Sequence, residues 1–309
     1  MTHSIPESSS LLIETDAGKV LHTGDWKIDR NPVIGKPFQP ELFQLLKNYQ
    51  LDAMICDATN ATKEGKTTSE SACYQGLYQQ VLEAKNRVIV TCFSSNIARL
   101  VTLAKIAHKT KRKMAVFGRS METMVTIAKR LNYWPKQLEL IDQKHIGYLP
   151  REEVLVVATG SQGEPRAALN KMAKGRHHWL YLEPEDTVIF SAMKIPPNKE
   201  RIERLITKLK DLQLEVVHAD DVKDKRLLHA SGHPAIEDLK QLIEWVQPKA
   251  LIPTHGESEH LEALANLAAE KGIKSVCYGE NGDLFKLAPF IKKEANKVVT
   301  GMIEMLDQK

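Results

Sequence analysis

The chain has 309 residues, of which 42% are hydrophobic and 27% are charged, and its formal net charge at pH 7 is +4. This is the balance of an ordinary globular protein, so the composition excludes a disordered or collagen-like chain. No apolar run reaches the ~20 residues of a membrane-spanning helix, and we expect no membrane association. The net charge is too small to identify a nucleic-acid-binding protein by itself.

The cysteines and the opening residues bear on the cellular compartment. The four cysteines include no Cys-x-x-Cys pair, so neither a zinc ribbon nor a disulfide framework is expected. The first residues lack the basic segment and apolar stretch of a secretory signal. A reducing cytoplasm is therefore the expected location.

The first 60 residues predict a hairpin, a helix and a short buried strand. Two apolar runs joined by a turn at 16–18 predict the hairpin over 10–24. Leucines on one helical face predict a helix over 41–50. The apolar run 53–56 predicts a strand that ends at Asp57.

Residues 70 to 215 alternate between predicted helices and strands. The predicted helices span 72–84, 97–108, 121–131 and 199–211, with a further helix after Pro165. The predicted strands span 87–91, 114–117, 153–158, 187–190 and 214–217. This alternation favours a mostly parallel sheet with helices on both faces.

The last segment predicts one more helix–strand–helix unit. An apolar stripe predicts a helix over 234–247, with Pro234 in its first turn, where a missing N–H costs nothing. A strand over 250–252 and a helix over 258–271 follow, and Gly272 suits the end of that helix.

Three scattered residues are candidate metal ligands: His3, Asp25 and His255. Imidazole and carboxylate are the usual non-thiol ligands of zinc and manganese, and a carboxylate can bridge two ions. Each residue taken alone is more often structural than a ligand.

Two glycine-containing segments are candidate anion sites. Gly160-Ser-Gln-Gly163 follows a strong strand, and either an anion cradle or a simple tight turn accounts for it equally well. In His229-Ala-Ser-Gly-His233, a plain helix cap by Ser231 or His233 competes with a phosphate cradle. Two histidines flanking Ser-Gly favour the cradle. The 22 residues from His233 to His255 would return both imidazoles to one sheet edge.

Seven short motifs occur together in this sequence. They are Thr2-His-Ser-Ile-Pro6, His22-Thr-Gly-Asp-Trp-Lys27, Cys56-Asp-Ala-Thr-Asn-Ala61, Cys92-Phe-Ser-Ser-Asn96, Ala158-Thr-Gly-Ser-Gln-Gly-Glu-Pro165, His229-Ala-Ser-Gly-His233 and Pro253-Thr-His-Gly-Glu257. In this order, over residues 1 to about 290, the set resembles the ribonuclease J family of metallo-β-lactamase proteins with an inserted β-CASP domain.

The resemblance implies an α/β fold: a partial metallo-β-lactamase αββα sandwich with an inserted β-CASP domain, whose mostly parallel, Rossmann-like sheet is flanked by helices. Residues 1–70 would form the C-terminal part of the metallo-β-lactamase domain and 71–217 the β-CASP domain. Residues 218–290 would be the returning metallo-β-lactamase segment and 291–309 a C-terminal tail.

The resemblance also implies roles for the candidate residues. His3, Asp25 and His255 would be metal ligands, with Asp25 bridging two ions. Asp57 would orient His233, which would act as general acid. The residues expected to hold the RNA phosphate are His229, Ala230, Ser231, Gly232 and His233. Those expected to line the RNA channel from the β-CASP side are Gly160, Ser161, Gly163, Ser94, Ser95 and Asn96.

One departure from the family pattern is large. The central His-x-His-x-Asp-His motif is absent from the 309 residues. Three scattered ligands cannot fill two metal sites that each need about four donors or more. We therefore expect an incomplete copy of the enzyme that lacks the upstream half of the metallo-β-lactamase domain. Residues 1–60 and 220–290 should then expose apolar sheet surface.

The expected function is that of a metal-dependent ribonuclease, a 5′–3′ exonuclease, an endonuclease or both, in RNA processing and decay. Its expected cofactor is a pair of zinc ions, with manganese as the alternative, and its partners are RNA and further copies of the chain in a dimer or tetramer. Activity of these 309 residues alone is left open. A non-catalytic RNA-binding or assembly partner is the alternative, and a small-molecule hydrolase is less favoured because a small substrate needs no cover as large as 70–215.

Overall fold

The computed structural model describes residues 1–222, 226–288 and 290–301. Within them the chain folds into a mixed α/β structure with two five-stranded sheets, which confirms the predicted fold class. The strands are β1 (Leu11–Thr15), β2 (Gly18–His22), β3 (Ala53–Asp57), β4 (Val88–Thr91), β5 (Lys113–Phe117), β6 (Val154–Ala158), β7 (Thr187–Phe190), β8 (Glu215–His218), β9 (Ala250–Thr254), β10 (Ser275–Val276), β11 (Leu284–Lys286) and β12 (Lys292–Glu294). The α-helices are α1 (Pro40–Leu45), α2 (Cys73–Glu83), α3 (Ile97–Lys109), α4 (Arg119–Arg130), α5 (Ala168–Ala173), α6 (Lys199–Asp211), α7 (Ile236–Val246) and α8 (Ser258–Glu270).

The first sheet joins the two ends of the sequence. Its strand order is β1-β2-β3-β9-β10, with β1 antiparallel to β2 and the other pairs parallel. In the β3–β9 register, Asp57 lies opposite Thr254. Because parallel strands end at the same sheet edge, the segments after β2, β3 and β9 meet there.

The second sheet is formed entirely by the segment between β3 and β9. It is parallel throughout, in the order β5-β6-β4-β7-β8, as the alternating pattern predicts. Helices α3 and α4 pack on one face, and α5 and α6 pack on the other. A strand that is covered on both faces has a continuous run of apolar residues. The sequence therefore predicts the strands at 88–91 and 154–158 clearly.

A buried arginine ties the second sheet to the chain segments that enter and leave it. The Arg99 guanidinium contacts the Glu70 carboxylate at 2.6 Å and donates to the Leu228 carbonyl at 3.0 Å and the Ser191 carbonyl at 3.1 Å. Its side chain is fully buried. The buried charge is tolerated because the guanidinium N–H groups donate to acceptors on Glu70, Ser191 and Leu228.

The predicted exposure of the first sheet is wrong for its central strands. The face that carries Val20, Ala53 and Ile252 is buried, because Phe285 and Leu287 of the β11–β12 region pack against it. Apolar exposure is confined to its edge, where all of β1 is exposed. β12 falls within the expected tail 291–309, of which 302–309 lie outside the described residues.

The predicted start of the helix over 234–247 is also wrong. The helix begins at Ile236, so Pro234 lies before it, and the residue at the cap is Ala235 without a side-chain cap. Neither Ser231 nor His233 caps it. Thr67 replaces them, since its hydroxyl accepts from the Ala235 N–H at 2.8 Å.

The helices of the described ranges are all too short or too polar to cross a membrane.

Candidate metal centre

Four side chains converge at the edge of the first sheet where β3 and β9 end. They belong to Asp25, Asp57, His233 and His255, and one ligand atom from each lies within 4.8 Å of the others. Asp25 follows β2, Asp57 ends β3 and His255 follows β9. The parallel register therefore assembles a cluster from residues up to 230 positions apart.

Asp57 is the buried anchor of the cluster. Its Oδ2 accepts from His233 Nδ1 at 2.7 Å, and its Oδ1 accepts from the Thr59 hydroxyl at 2.6 Å. Burial alone would raise the pKa of Asp57, but the hydrogen bond from His233 and the nearby His255 imidazole outweigh it and hold the pKa well below its ordinary value. The carboxylate is therefore ionised at neutral pH.

His255 takes a strained backbone conformation to reach the cluster. Its φ of 57° is in the left-handed region, which a residue with a Cβ adopts at a cost of about 1–3 kcal/mol. Its Nδ1 lies 3.1 Å from Asp25 Oδ1 and 3.7 Å from Asp57 Oδ1. The nearby Asp57 carboxylate, more than any other group, raises the pKa of His255.

His3 lies beside the four clustered residues. Its Nδ1 is 2.7 Å from the Gly232 carbonyl, and its Nε2 is 3.9 Å from Asp25 Oδ2. Burial lowers the pKa of His3, so the neutral imidazole is favoured. With Nδ1–H donated to a carbonyl, Nε2 presents its lone pair towards Asp25, which is the usual arrangement of a metal-ligating histidine.

Position 232 must be glycine for His3 to lie where it does. A Cβ at that position would be 2.5 Å from His3 Cε1. The position of the His3 ring therefore depends on the absence of a side chain at residue 232.

The donor set suits a divalent metal ion. Three imidazoles and two carboxylates face one another, and no lysine or arginine nitrogen is found in ion-pair contact with Asp25 or Asp57 among the described residues. Imidazole nitrogen and carboxylate oxygen are ligands that zinc and manganese accept. The structure therefore brings together every residue that the sequence singled out for this site: His3, Asp25, Asp57, His233 and His255.

His229, Ala230 and Ser231 line a cavity of about 250 Å³ together with Asn60 and Lys63. The Ser231 hydroxyl accepts from Asn60 Nδ2 at 2.7 Å and from the His233 N–H at 3.2 Å. Burial, reinforced by the charges of Arg99 and Lys63, lowers the pKa of His229 to about 3. His229 Nδ1 is buried and has no hydrogen-bond partner among the described residues. Ala230 is buried beside it.

The first of the two segments expected to line an RNA channel is buried. Gly160, Ser161 and Gly163 are buried, and the Gly163 N–H donates to the Gly160 carbonyl at 3.0 Å. The first N–H of α5 donates to the Thr159 hydroxyl at 3.1 Å, so the helix start is already satisfied. These contacts are those of a tight turn.

The segment at the start of α3 also has a local structural role. Asn96 caps that helix by accepting from the Arg99 N–H at 2.9 Å. Ser94 and Ser95 are half-buried. The role of these residues in a channel stays a prediction.

The sequence motifs predict no role for three residues of the site: Thr59, Asn60 and Thr67. The Thr59 hydroxyl lies 2.8 Å from the His255 carbonyl as well as against Asp57, so it joins two neighbouring strand ends. Thr67 and Asn60 donate to the His233 carbonyl at 3.0 and 3.1 Å. The Asp-x-Thr spacing, which is typical of local side-chain turns, is the one signal that points to Thr59.

Two family models match consecutive parts of the chain. The model for "Ribonuclease J, beta-CASP domain" matches residues 85–209, which contain most of the second sheet. The model for "Zn-dependent metallo-hydrolase RNA specificity domain" matches residues 221–277, which contain His233 and His255. Together they support a metal cofactor for this site.

Curated relatives match nearly the whole chain. A protein named ribonuclease J from Sinorhizobium meliloti is 37% identical over 289 residues, covering 94% of this chain and 50% of the relative. Ribonuclease J from Thermus thermophilus is 36% identical, with 98% and 52% covered. The chain spans about half the length of the curated relatives it matches.

A solved structure shares the fold. A crystal structure of a protein of unknown function from Enterococcus faecalis V583 superposes with a TM-score of 0.59 at 16% identity, covering 91% of this chain and 61% of that one. At this identity the similarity concerns the fold alone.

Proposed function

Because the chain belongs to the ribonuclease J family, we propose that it forms part of a metal-dependent ribonuclease that acts in RNA processing and decay. The observation that carries this proposal is the convergence of Asp25, Asp57, His233 and His255 beside a polar cavity. A hydrolase of phosphodiesters needs an ion and a phosphate-binding surface next to each other.

His3, Asp25 and His255 would hold the metal, with Asp25 bridging if two ions bind. Zinc is the expected ion and manganese the alternative. A bound ion would supply Lewis acidity at the phosphodiester and activate water for the attack. A two-ion centre needs more donors than these three, and the His-x-His-x-Asp-His motif that supplies them in the family is not in this sequence.

His233 would protonate the departing ribose oxygen. Asp57 accepts the Nδ1 hydrogen bond, which fixes the ring and the tautomer and leaves Nε2 free of this contact. A proton held on Nε2 can then pass to the leaving oxygen as the P–O bond breaks. The Asn60 and Thr67 hydrogen bonds to the His233 carbonyl keep the backbone in place during this step.

The segment 229–233 would hold a phosphate of the RNA. Ser231 offers a hydroxyl at the cavity wall, and the half-buried Lys63 adds a positive charge there. Gly232 lets the segment pass close to His3. Burial lowers the pKa of Lys63, and a phosphate in the cavity would favour its charged form. Gly160 to Gly163 and Ser94 to Asn96 would line the RNA path from the β-CASP side.

We also propose domain borders at 70/71, 217/218 and 290/291. The protein would work in the cytoplasm, and copies of the chain would associate as a dimer or tetramer. Size-exclusion chromatography with light scattering tests the assembly, and limited proteolysis tests the borders.

The proposed activity is tested with RNA labelled at either end. The purified protein is incubated with zinc and RNA, and the products of the wild type, His233→Ala and His108→Ala are compared. We expect cleavage by the wild type and the exposed His108 control, and a loss of about 100-fold or more in His233→Ala. Stoichiometric RNA binding without zinc binding or cleavage would contradict the proposal and favour the non-catalytic alternative.

A further inference from the structure

A patch of basic and aromatic side chains lies on the second sheet, on the side covered by α5. Two segments form it: the 3-10 helix Gln143–Tyr148 and the loop that follows α5. They are in contact, since a Cβ at Gly147 would lie 3.3 Å from the Trp179 carbonyl. We call this patch the distal basic surface and define it by Tyr148, Lys171, Lys174, Arg176, Trp179 and Tyr181.

Its three cations are free of ion pairs within the part of the chain that the structure describes. Lys171, Lys174 and Arg176 are exposed, and none of them forms an ion pair with any residue in the described ranges. Burial, followed by the positive charges of Lys171 and His178, lowers the pKa of the adjacent His177. The surface therefore combines several cations whose charge is available to an anionic partner.

Its aromatic side chains are unusually exposed. Tyr148 is 85%, Tyr181 63% and Trp179 43% exposed to solvent. The Trp179 ring also lies 4.3 Å from the His178 ring, edge to face. Exposed aromatic rings on the same loop as the cations match the two needs of single-stranded nucleic acid, which are base stacking and phosphate neutralisation.

The surface is linked to the candidate site by one short element. The tight turn Gly160–Gly163 contacts the cavity wall, because Gln162 Nε2 donates to the Met193 carbonyl at 2.9 Å. Helix α5 follows this turn, and its six residues span about 9 Å. Lys171 and Lys174 stand at the far end of that helix.

We propose that the distal basic surface binds a segment of single-stranded RNA whose reacting end occupies the cavity beside His229. This proposal rests on the proposed function for the identity of the ligand, and adds a second binding site that contacts nucleotides away from the reacting phosphate. It predicts that long RNA binds more tightly than short RNA, and that the difference depends on these side chains.

The test measures RNA binding in the presence of a chelator, so that cleavage plays no part. Fluorescence anisotropy is recorded with a labelled 20-nucleotide and a labelled 4-nucleotide single-stranded RNA. The variants are Lys171→Glu/Lys174→Glu/Arg176→Glu and Trp179→Ala/Tyr148→Ala. The control is Lys105→Glu/Lys129→Glu/Arg130→Glu, which makes the same charge change on exposed positions of α3 and α4, across the sheet. Thermal melting by circular dichroism checks that each variant is folded.

We expect both surface variants to weaken binding of the 20-mer by about tenfold or more, while the control and the 4-mer change little. The charge variant should also lower the salt dependence of 20-mer binding. Equal affinity of all folded variants for the 20-mer would overturn the proposal without touching the proposed activity. A changed oligomeric state with unchanged RNA affinity would overturn it too, and would assign the surface to a contact between copies. Failure of the wild type to bind either RNA would instead contradict the proposed function.

Discussion

Asp57 accepts a 2.7 Å hydrogen bond from His233, which lies 176 residues further along the chain. The whole second sheet is built between these two residues, yet the parallel arrangement of β3 and β9 returns the chain to the same edge. The pair therefore depends on the fold of both sheets.

The amide variant Asp57→Asn tests the role of this pair in the reaction. An amide keeps the shape but removes the charge that fixes the His233 tautomer, so we expect kcat for RNA cleavage to fall by about 100-fold or more with little change in KM. Steady-state kinetics give both constants. Asp52→Asn is the control, because Asp52 pairs with Lys249 away from the site. An unchanged kcat in Asp57→Asn would contradict the positioning role.

Replacing Gly232 by alanine should weaken metal binding without a direct change to a ligand. The new Cβ would occupy the space of His3 Cε1 and push that ring away. Loss of a supporting contact of this type costs about 10- to 100-fold in metal affinity. Isothermal titration with zinc measures the effect, and Gly147→Ala serves as a control for a crowded glycine far from the metal centre. Equal zinc affinity in the two variants would argue against His3 as a ligand.

Breaking the buried Arg99 pair should destabilise the protein. Arg99→Met leaves the Glu70 carboxylate buried without its partner, and we expect a loss of about 3–5 kcal/mol in the free energy of unfolding. Urea unfolding measures it. The exposed Arg204 provides the matched control, since Arg204→Met should cost less than about 1 kcal/mol. Arg99→Met/Glu70→Leu should recover part of the loss, and a single variant as stable as the wild type would be inconsistent with the described network.

The free energy of unfolding should decrease as the pH falls, and part of this decrease should depend on His229. Burial, followed by the charges of Arg99 and Lys63, lowers its pKa to about 3, whereas an unfolded histidine titrates near about 6.5. Between these values the unfolded chain binds a proton that the folded chain does not, so stability decreases as pH falls. From pH 7 to pH 5 the contribution is about 2 kcal/mol.

Urea unfolding of the wild type and His229→Gln at pH 7 and pH 5 measures this contribution. The glutamine variant cannot titrate, so its loss of stability over this range should be smaller by about that amount. Identical pH dependence of the two proteins would show that His229 is not buried in its neutral form.

The sequence predicts the second sheet well because its strands are short apolar runs flanked by amphipathic helices. The predicted strand over 187–190 has the same bounds as β7, and the helix over 97–108 differs from α3 by one residue. The start of α7 is missed because it depends on Thr67, a residue distant in sequence whose hydroxyl supplies the cap. The cover over the first sheet is missed because short β11 and β12 carry little periodic signal.

The sequence predicts which residues form the candidate site, but it does not predict the contacts that support them. Residue type and motif order identify His3, Asp25 and His255 as candidate metal ligands. The structure places these side chains together. The buried Arg99 network cannot be read from spacing, since it joins four separate segments. The strain at His255 is also invisible in the sequence, because a histidine gives no local sign of a left-handed backbone.

The position of a zinc ion in crystals of the protein would show directly whether these residues form a metal centre. Diffraction data collected at the zinc absorption edge locate the ion independently of any assumed ligand. We expect an anomalous peak within about 2.0–2.2 Å of donor atoms of Asp25 and His255, next to the Asp57–His233 pair. A peak bound only by other residues, with none at this cluster in zinc-saturated crystals, would contradict the central claim that the two ends of the sequence build a metal centre.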